Sequence, residues 1–205
     1  MDSPGRLVGV RRTFTRAELE SFRDAVVPDL LPTSPDHDLK LLFVGINPGL
    51  WTAATQTHFG HPGNRFYPAL LLGGVVPEAI DPRAGMTDAE RDALRARGIG
   101  ITNLVRRATA KASELDTVEL KEGGAALTTL AEWLRPQVVA VAGITAYRTA
   151  FGRPKAVMGR QPERLGGSEL WVVPNPSGLN AHETVASLAT AYGEVARAAG
   201  IPVDS

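Results

Sequence analysis

The stretch Leu39-Lys40-Leu41-Leu42-Phe43-Val44-Gly45 runs directly into Gly45-Ile46-Asn47-Pro48-Gly49, and this junction decides the fold. A continuous apolar run of this length predicts a strand buried on both faces, as the strands of a parallel sheet are. Open α/β sheets bind their ligands just outside the carboxyl ends of such strands. The loop over 45–49 is therefore the first place to look for chemistry.

Three further runs of the same kind follow along the chain. They predict strands over 99–105 and 137–143 and at Leu170-Trp171-Val172-Val173. Helices are predicted over 16–27, 66–72, 88–97, 115–134, 145–151 and 183–199. The segment 115–134 contains one or two helices, interrupted near Gly123-Gly124. Strands that alternate with helices predict a three-layer α/β/α sandwich around a mostly parallel central sheet.

Two of the helix starts carry a local signal. Thr15 with Glu18, and Thr87 with Glu90, have the spacing of a capping box, in which each side chain bonds the other residue's backbone N–H. The second of these helices is predicted to end at Gly98.

Composition limits the range of functions. A chain of 205 residues with 43% hydrophobic residues suits one domain over 13–205, preceded by a flexible arm over 1–12. The 22 basic residues balance 22 acidic ones, so an anionic partner must be met by a local patch. With no cysteine there can be no disulfide or thiolate metal site. No apolar run approaches the ~18 residues of a membrane span, so we expect no contact with a membrane. Together with the lack of cysteine this favours a cytoplasmic protein, and we expect it to be a monomer.

The loop after the last predicted strand resembles the loop after the first. Pro174-Asn175-Pro176-Ser177-Gly178 follows the last strand, so both loops place an Asn-Pro pair at the same edge of the sheet. Proline stiffens such a loop, glycine allows close approach, and the amide offers a donor and an acceptor. This pattern favours recognition of a polar, planar ligand. The alternative is a pair of Asx turns with no further role.

An aromatic residue lies in the glycine-rich segment between these loops. His58-Phe59-Gly60-His61-Pro62-Gly63-Asn64-Arg65-Phe66 places Phe59 outside any amphipathic pattern, where its ring can stack on a base. The alternative is that Phe59 fills the core. His58 is expected at the rim of the site or on the surface.

Together these segments resemble a known family. Gly45-Ile46-Asn47-Pro48-Gly49-Leu50, Phe59-Gly60-His61-Pro62-Gly63-Asn64-Arg65-Phe66 and Asn175-Pro176-Ser177-Gly178-Leu179 are similar, in order and spacing, to the signatures of the mismatch-specific uracil-DNA glycosylases, relatives of thymine-DNA glycosylase. The resemblance runs from about 39 to 199 and takes in Gly100-Ile101-Thr102-Asn103-Leu104-Val105. It implies a monofunctional enzyme that flips uracil, and other damaged pyrimidines, out of mispaired double-stranded DNA and hydrolyses the N-glycosidic bond.

The resemblance also implies roles for individual residues. Asn47 is the catalytic residue that positions water. The flipped base is held by Gly45, Ile46, Pro48, Gly49, Phe59 and Asn175. A wedge that fills the vacated stack consists of Ser177, Gly178, Leu179 and Asn180. Where the family often continues with Ser-Arg, this chain has Asn180-Ala181-His182, so we expect a looser preference for the opposite base.

Elementary chemistry constrains this mechanism. An Asn amide takes up no proton near neutral pH, so Asn47 can orient water but cannot act as an ordinary general base. Asp88 and Asp92 are the carboxylates that a departure from this mechanism would recruit, but helix electrostatics explains both. The histidines have no metal-ligand spacing on one helix, so no metal and no cofactor is expected.

Phosphate contacts are predicted for basic residues near the strand ends. These are Arg106, Arg107, Lys111, Arg148, Arg153, Lys155, Arg160 and Arg164. The competing function is a non-enzymatic nucleotide- or DNA-binding α/β module. Against it, the chain has neither a G-x-x-x-x-G-K-[ST] nor a G-x-G-x-x-G motif, and it has no long basic helix.

Overall fold

A computed structural model describes residues 13–33 and 38–203. The arm predicted over 1–12 lies outside the described residues. The central sheet consists of β1 (Leu41–Gly45), β2 (Ile99–Asn103), β3 (Val138–Ala142), β4 (Gly159–Leu165) and β5 (Ser168–Val173). Their order is β2-β1-β3-β5-β4. All neighbouring pairs are parallel except β4 with β5, which confirms the mostly parallel sheet.

Helices cover both faces of this sheet. They are α1 (Arg16–Glu20), α2 (Leu50–Thr55), α3 (Phe66–Leu72), α4 (Asp88–Ala96), α5 (Thr117–Leu134), α6 (Ile144–Ala150) and α7 (Val185–Ala198). Leu41 and Phe43 of β1 pack with α3 and α7, whereas Leu42 and Val44 pack with α5 and α6 on the opposite face. The predicted three-layer α/β/α sandwich is confirmed. In the part of the chain that the structure describes, no helix is long and apolar enough to cross a bilayer.

Gly123 and Gly124 do not interrupt the long helix, contrary to the prediction. A single helix, α5, runs through both of them. A Cβ at Gly123 would lie 2.2 Å from the carbonyl oxygen of Leu104, and one at Gly124 would lie 2.7 Å from that of Ala150. The two glycines therefore allow the helix to approach neighbouring backbone closely.

The first helix is also shorter than the predicted range of 16–27. The capping box of Thr15 and Glu18 forms, but α1 ends at Glu20. Beyond it, the Asp24 N–H donates to the Ala108 carbonyl at 2.9 Å, and the Ala108 N–H donates to the Ala25 carbonyl at 2.9 Å. Pairing with this distant segment thus replaces the helical hydrogen bonds that the local pattern predicts.

Strand β4 and helix α2 were not predicted. Strand β4 is polar and contains Pro162, which suits the edge of a sheet, and Gly166-Gly167, both with positive φ, turn it back into β5. Helix α2 begins directly after Pro48-Gly49, a pair that is typical of loops. Neither element has the apolar period on which the sequence analysis relied.

Candidate active site

The loop over 45–49 is anchored by the segment that continues from β2. Three backbone N–H groups donate to its carbonyl oxygens: Leu104 to Gly45 at 2.9 Å, Val105 to Ile46 at 2.9 Å and Thr109 to Pro48 at 3.1 Å. β2 ends at Asn103 rather than at 105 because its partner strand β1 ends at Gly45, the residue paired with Asn103.

The Asn47 amide is held in one orientation. Its Nδ2 lies 3.1 Å from the Arg107 carbonyl oxygen, 3.2 Å from that of Pro48 and 2.7 Å from Thr109 Oγ1. Carbonyl oxygens only accept hydrogen bonds, and the Thr109 hydroxyl gives its own proton to the Lys111 carbonyl at 2.9 Å, so the NH₂ end must face this group. The Asn47 Oδ1 therefore points away from these three acceptors, and it has no hydrogen-bond partner among the described residues.

Backbone donors of the same turn are also available. The N–H groups of Ile46, Asn47 and Gly49 donate no hydrogen bond to any other residue that the structure describes. A polar turn with free donors at the end of a parallel strand suits a ligand that carries or develops negative charge. The loop therefore offers both a fixed acceptor and free donors.

Phe59 lies beside the first residue of this loop. Its ring stacks on Phe66 with centroids 4.1 Å apart, and it is only partly buried. A Cβ at Gly45 would lie 3.3 Å from the Phe59 ring, so the glycine allows the ring to approach the strand end. Phe59 also has a φ of 55°, which is costly for a bulky residue. The ring of Phe59 packs against the core through Phe66, as the alternative that it fills the core predicts in part. The ring is nevertheless only partly buried, so one part of it remains accessible.

His58 is not at the rim, contrary to the expectation. It is only 3% exposed, and its Nε2 lies 3.0 Å from the Pro28 carbonyl oxygen. Because a carbonyl accepts, Nε2 carries the proton and Nδ1 accepts from Asn103 Nδ2 at 3.1 Å. This contact directs the Asn103 Oδ1 toward Gly45, where an added Cβ would meet it at 2.4 Å. His58 thus orients Asn103 at the strand edge.

Burial lowers the pKa of His58 below its ordinary value of 6.5, although the Pro28 carbonyl and Asp29 act in the opposite direction. Arg91 and Arg106 lower the pKa further. The folded protein therefore holds this imidazole neutral at a pH where the unfolded chain protonates it. The resulting contribution to stability is complete above pH 6.5 and is lost as the pH falls through the folded pKa.

We accordingly expect the free energy of unfolding to decrease below the ordinary histidine pKa, by at most about 1.4 kcal/mol per pH unit from this group. His58→Gln, which has no titrating group, should lack this part of the pH dependence. Urea denaturation of both proteins between neutral and mildly acidic pH measures it. Parallel curves for the two proteins would show that His58 does not titrate in this way.

The ends of β3 and β5 meet Ile46 at the same edge. A Cβ at Gly143, whose φ is 113°, would lie 3.5 Å from Ile46 Cδ1 and 3.7 Å from Asn175 Cβ. Asn175 Oδ1 accepts from the Ser177 N–H at 3.0 Å, which is the Asx turn of the alternative interpretation. Its Nδ2 has no partner among the described residues and lies near Gly143. Asn175 therefore forms the turn and still presents a donor.

Leu179 is exposed to solvent. Its exposed fraction is 89%, so it does not pack under the closing helix α7. Gly178 beside it approaches Gly63 so closely that a Cβ would lie 2.5 Å from the Gly63 carbonyl oxygen. This contact brings the loop after β5 against the loop that carries Phe59. A large apolar side chain thus projects into solvent next to the strand edge.

The basic side chains predicted to contact phosphate differ in their partners. Several pair with carboxylates: Arg106 with Asp29 at 3.4 Å, Arg107 with Glu119 at 3.0 Å, Arg153 with Glu163 at 3.1 Å and Arg160 with Glu169 at 2.9 Å. The Arg107 guanidinium lowers the pKa of Glu119 to about 2. In the sheet register, Arg164 pairs with Glu169 near the start of β5, because β4 runs antiparallel to β5. It therefore lies near the amino ends of the parallel strands, away from the Asn-Pro loops. Lys111 and Lys155 have no ion pair among the described residues.

The carboxylates considered for an alternative mechanism have ordinary helical surroundings. Asp92 pairs with Arg95 at 3.0 Å, and Asp88 lies in the first turn of α4 after the capping residue Thr87. Neither of them bonds the loop over 45–49. Within residues 13–33 and 38–203, no group of three or more His, Cys, Asp or Glu residues could hold a metal ion.

Asn103 and Thr109 are residues of the site that the sequence analysis did not single out. Asn103 is the last residue of β2, and Asn47 and Asn175 each lie two residues beyond the end of a buried strand. An Asn at the carboxyl end of a strand is therefore a signal that could have found Asn103. Thr109 had no such signal, because only the fold brings it to Asn47. The structure therefore gathers Gly45, Ile46, Asn47, Phe59, Asn103 and Asn175 at one edge of the sheet.

Comparisons with known proteins agree with this architecture. A model of the uracil DNA glycosylase superfamily matches residues 31–195, a range that includes both Asn-Pro loops and the Phe59 segment. The chain also resembles the solution NMR structure of a candidate uracil DNA glycosylase from Methanosarcina acetivorans, with a TM-score of 0.55 and 17% sequence identity. That similarity covers 84% of this chain and 98% of the other. At this identity it shows the fold alone.

Proposed function

Because the chain belongs to the uracil DNA glycosylase superfamily, we propose that it is a monofunctional, mismatch-specific enzyme that removes uracil from mispaired DNA. It flips the nucleotide out of the duplex, hydrolyses the N-glycosidic bond and leaves an abasic site. Other damaged pyrimidines that fit the same pocket are further substrates. The observation that carries this proposal is the fixed Asn47 amide, whose Oδ1 has no partner among the described residues and which lies two residues after Gly45, where Phe59 and Asn103 meet the strand end.

Asn47 acts on water in this proposal. Its Oδ1 accepts a hydrogen bond from a water molecule and aims the water oxygen at C1′ of the flipped sugar. The amide takes up no proton, so the reaction depends on a sugar that already has oxocarbenium character when water attacks. The water then loses its proton to solvent. Holding the reactants in place in this way is worth several orders of magnitude in rate.

The departing base is stabilised by the backbone N–H groups of the same turn. As the bond breaks, uracil leaves with the electron pair and negative charge grows on its ring. The free N–H groups of Ile46, Asn47 and Gly49 are fixed before the reaction and stabilise this charge without reorganising. The uracil anion afterwards takes a proton from solvent.

Asn103 selects the base. One hydrogen of its amide is donated to His58, and the Oδ1 is held toward Gly45, so the side chain presents an acceptor and a second hydrogen side by side. Uracil carries an N3–H donor next to its O4 acceptor, which complements this pair, whereas cytosine has the opposite pattern there. Phe59, supported by Phe66, stacks on the same ring.

The alkali-cleavage assay tests the proposal. A labelled strand with one uracil is offered mispaired with guanine, paired with adenine and single-stranded, and alkali then cuts at abasic sites. We expect more product from the mispaired duplex than from the duplex with adenine, since a mismatch lowers the cost of flipping the nucleotide. Binding without any alkali-labile product would favour the non-enzymatic module, and equal rates on both duplexes would contradict mismatch specificity.

Leu179→Ala should weaken action on the mispaired duplex by about tenfold, the usual scale for loss of an apolar contact that fills an unstacked step. A single strand has no vacated stack, so excision from it should change little. Because Leu179 is 89% exposed, the melting temperature should not fall. Single-turnover rates on both substrates, measured together with thermal unfolding, test this. Equal losses on both substrates would remove Leu179 from the wedge.

A further inference from the structure

The Arg65 guanidinium is bound to the backbone of the loop that carries Leu179. Its Nη2 donates to the carbonyl oxygens of Ser177 and Asn180, both at 2.7 Å, and its Nη1 donates to that of Glu183. The Arg65 backbone N–H adds a bond to the Pro176 carbonyl at 3.0 Å. One residue of α3's N-terminus therefore contacts the loop at four points along its length.

No carboxylate in the described part of the chain explains this placement. Arg65 forms no ion pair with any residue that the structure describes, and the Glu183 carboxylate bonds the Ser187 hydroxyl instead. The Arg65 Nε is buried and has no partner among the described residues. Burying such a donor is unfavourable. Among the described residues, the loop carbonyls are thus the groups that hold the guanidinium here.

Beyond Arg65 and the close approach of Gly178 to Gly63, few hydrogen bonds among the described residues hold the loop. Its remaining hydrogen bonds are local: Ser177 N to Asn175 Oδ1, Leu179 N to Ser177 Oγ, Asn180 N to the Ser177 carbonyl, Asn180 Nδ2 to the Asn175 carbonyl and His182 N to Asn180 Oδ1. For Ser177–His182, Arg65 is the one hydrogen-bonding partner outside 175–182 within the described residues. Leu179 itself packs against very little, because it is 89% exposed.

We propose that Arg65 is a positioning residue that holds the Ser177–Glu183 loop so that Leu179 can enter the base stack, a role that rests on the proposed function. Arg65 directly follows the loop that contains Phe59, and Gly63 of that loop touches Gly178. The segment that stacks on the flipped base thereby also fixes the wedge that fills its place. A wedge held in place beforehand spends less binding energy on ordering itself when DNA arrives.

The geometry makes this a role for arginine rather than for any cation. A guanidinium has donors in a planar, rigid fork, which can reach carbonyls of separate residues at the same time. Lysine keeps the positive charge but offers a single nitrogen on a flexible chain. Arg65→Lys therefore separates the positioning of the loop from attraction to phosphate.

The test is a double-mutant cycle on mispaired duplex under single-turnover conditions at saturating protein. Arg65→Lys should lower the rate about tenfold, the scale of one lost hydrogen bond from a charged group. Combined with Leu179→Ala it should cause no further loss, because both variants remove the same wedge. Excision from the single strand should change less than about twofold in each.

Arg97→Lys is the matched control. Arg97 is also a partly buried arginine that donates to two backbone carbonyls, those of Val75 and Pro202, but it lies at the end of α4 that precedes β2 and thus away from the carboxyl edge. It should change stability as Arg65→Lys does and leave the ratio of duplex to single-strand rates unchanged. Amide exchange at Leu179 and Asn180 should become faster in Arg65→Lys alone.

Each result decides between the possibilities. Additive losses in the double variant, equal losses on both substrates, or an unchanged duplex rate in Arg65→Lys would overturn the role of Arg65. If Arg65→Gln loses activity and Arg65→Lys does not, charge rather than geometry is responsible, and the proposal is again wrong. If the wild-type protein excises nothing, the proposed function fails, and the amide exchange rates alone decide whether Arg65 holds the loop.

Discussion

Asn47→Ala is expected to lower the single-turnover rate of uracil excision by about 100-fold or more, the scale on which catalysis depends on correct placement of the reacting groups. The variant removes the Oδ1 that directs water and leaves the free N–H groups of the turn in place. Affinity for mispaired DNA should remain close to that of the wild type, because the wedge and the stacking ring are untouched.

Some loss of stability must be separated from this effect. The Asn47 amide donates to Arg107, Pro48 and Thr109, so its removal leaves buried acceptors unpaired at a cost of about 1–3 kcal/mol. Thr109→Val is the matched comparison, since it removes one of these acceptors and keeps Oδ1. We expect Thr109→Val to share the lower melting temperature and to retain most of the activity. Near-normal excision by Asn47→Ala would contradict its role and would make Asp88 and Asp92 the next candidates.

Gly45→Ala should cause the second large loss. The new methyl group would lie 2.4 Å from Asn103 Oδ1 and 3.3 Å from the Phe59 ring, so the Asn103 amide, to which we assign recognition of the base, must move. Asn103 cannot turn away freely, because its Nδ2 is bonded to the buried His58. We expect excision to fall by on the order of 100-fold through misplacement of these groups.

Gly49→Ala provides the comparison for stability within the same motif. No atom lies within 4 Å of a Cβ at Gly49, so this variant should unfold at the wild-type temperature, whereas Gly45→Ala should unfold earlier. Thermal unfolding and single-turnover kinetics of both variants measure the difference. Equal melting temperatures and equal rates for the two would show that the contact between Gly45 and Asn103 is unimportant.

Features encoded by neighbouring residues could be predicted from the sequence. The capping boxes at Thr15 and Thr87 form as predicted, because every atom in them belongs to residues three apart. Strands β1, β3 and β5 follow from their apolar runs, since a strand covered by helices on both faces must be apolar throughout. Their parallel order then places both Asn-Pro loops at one edge.

Features that depend on distant contacts could not be predicted. His58 is buried because Pro28 and Asn103, 30 and 45 residues away in sequence, satisfy its two nitrogens. Gly123-Gly124 resembles a helix break until the backbones of Leu104 and Ala150 are known to lie against it. The ion pairs of Arg107 with Glu119 and of Arg160 with Glu169 likewise cannot be seen in the sequence. The number of basic residues near the strand ends therefore overestimates the positive charge that is available to bind phosphate.

The most direct test of the central claim is a single-turnover reaction of the wild-type chain with duplex DNA that contains one uracil opposite guanine. Free uracil and abasic strand are quantified together, and a parallel sample is treated with borohydride to trap any covalent intermediate. We predict release of uracil in equal amount to abasic sites, an uncut strand before alkali and no trapped adduct, as hydrolysis by a positioned water requires. Absence of released uracil, or a borohydride-trapped protein–DNA adduct, would contradict the account.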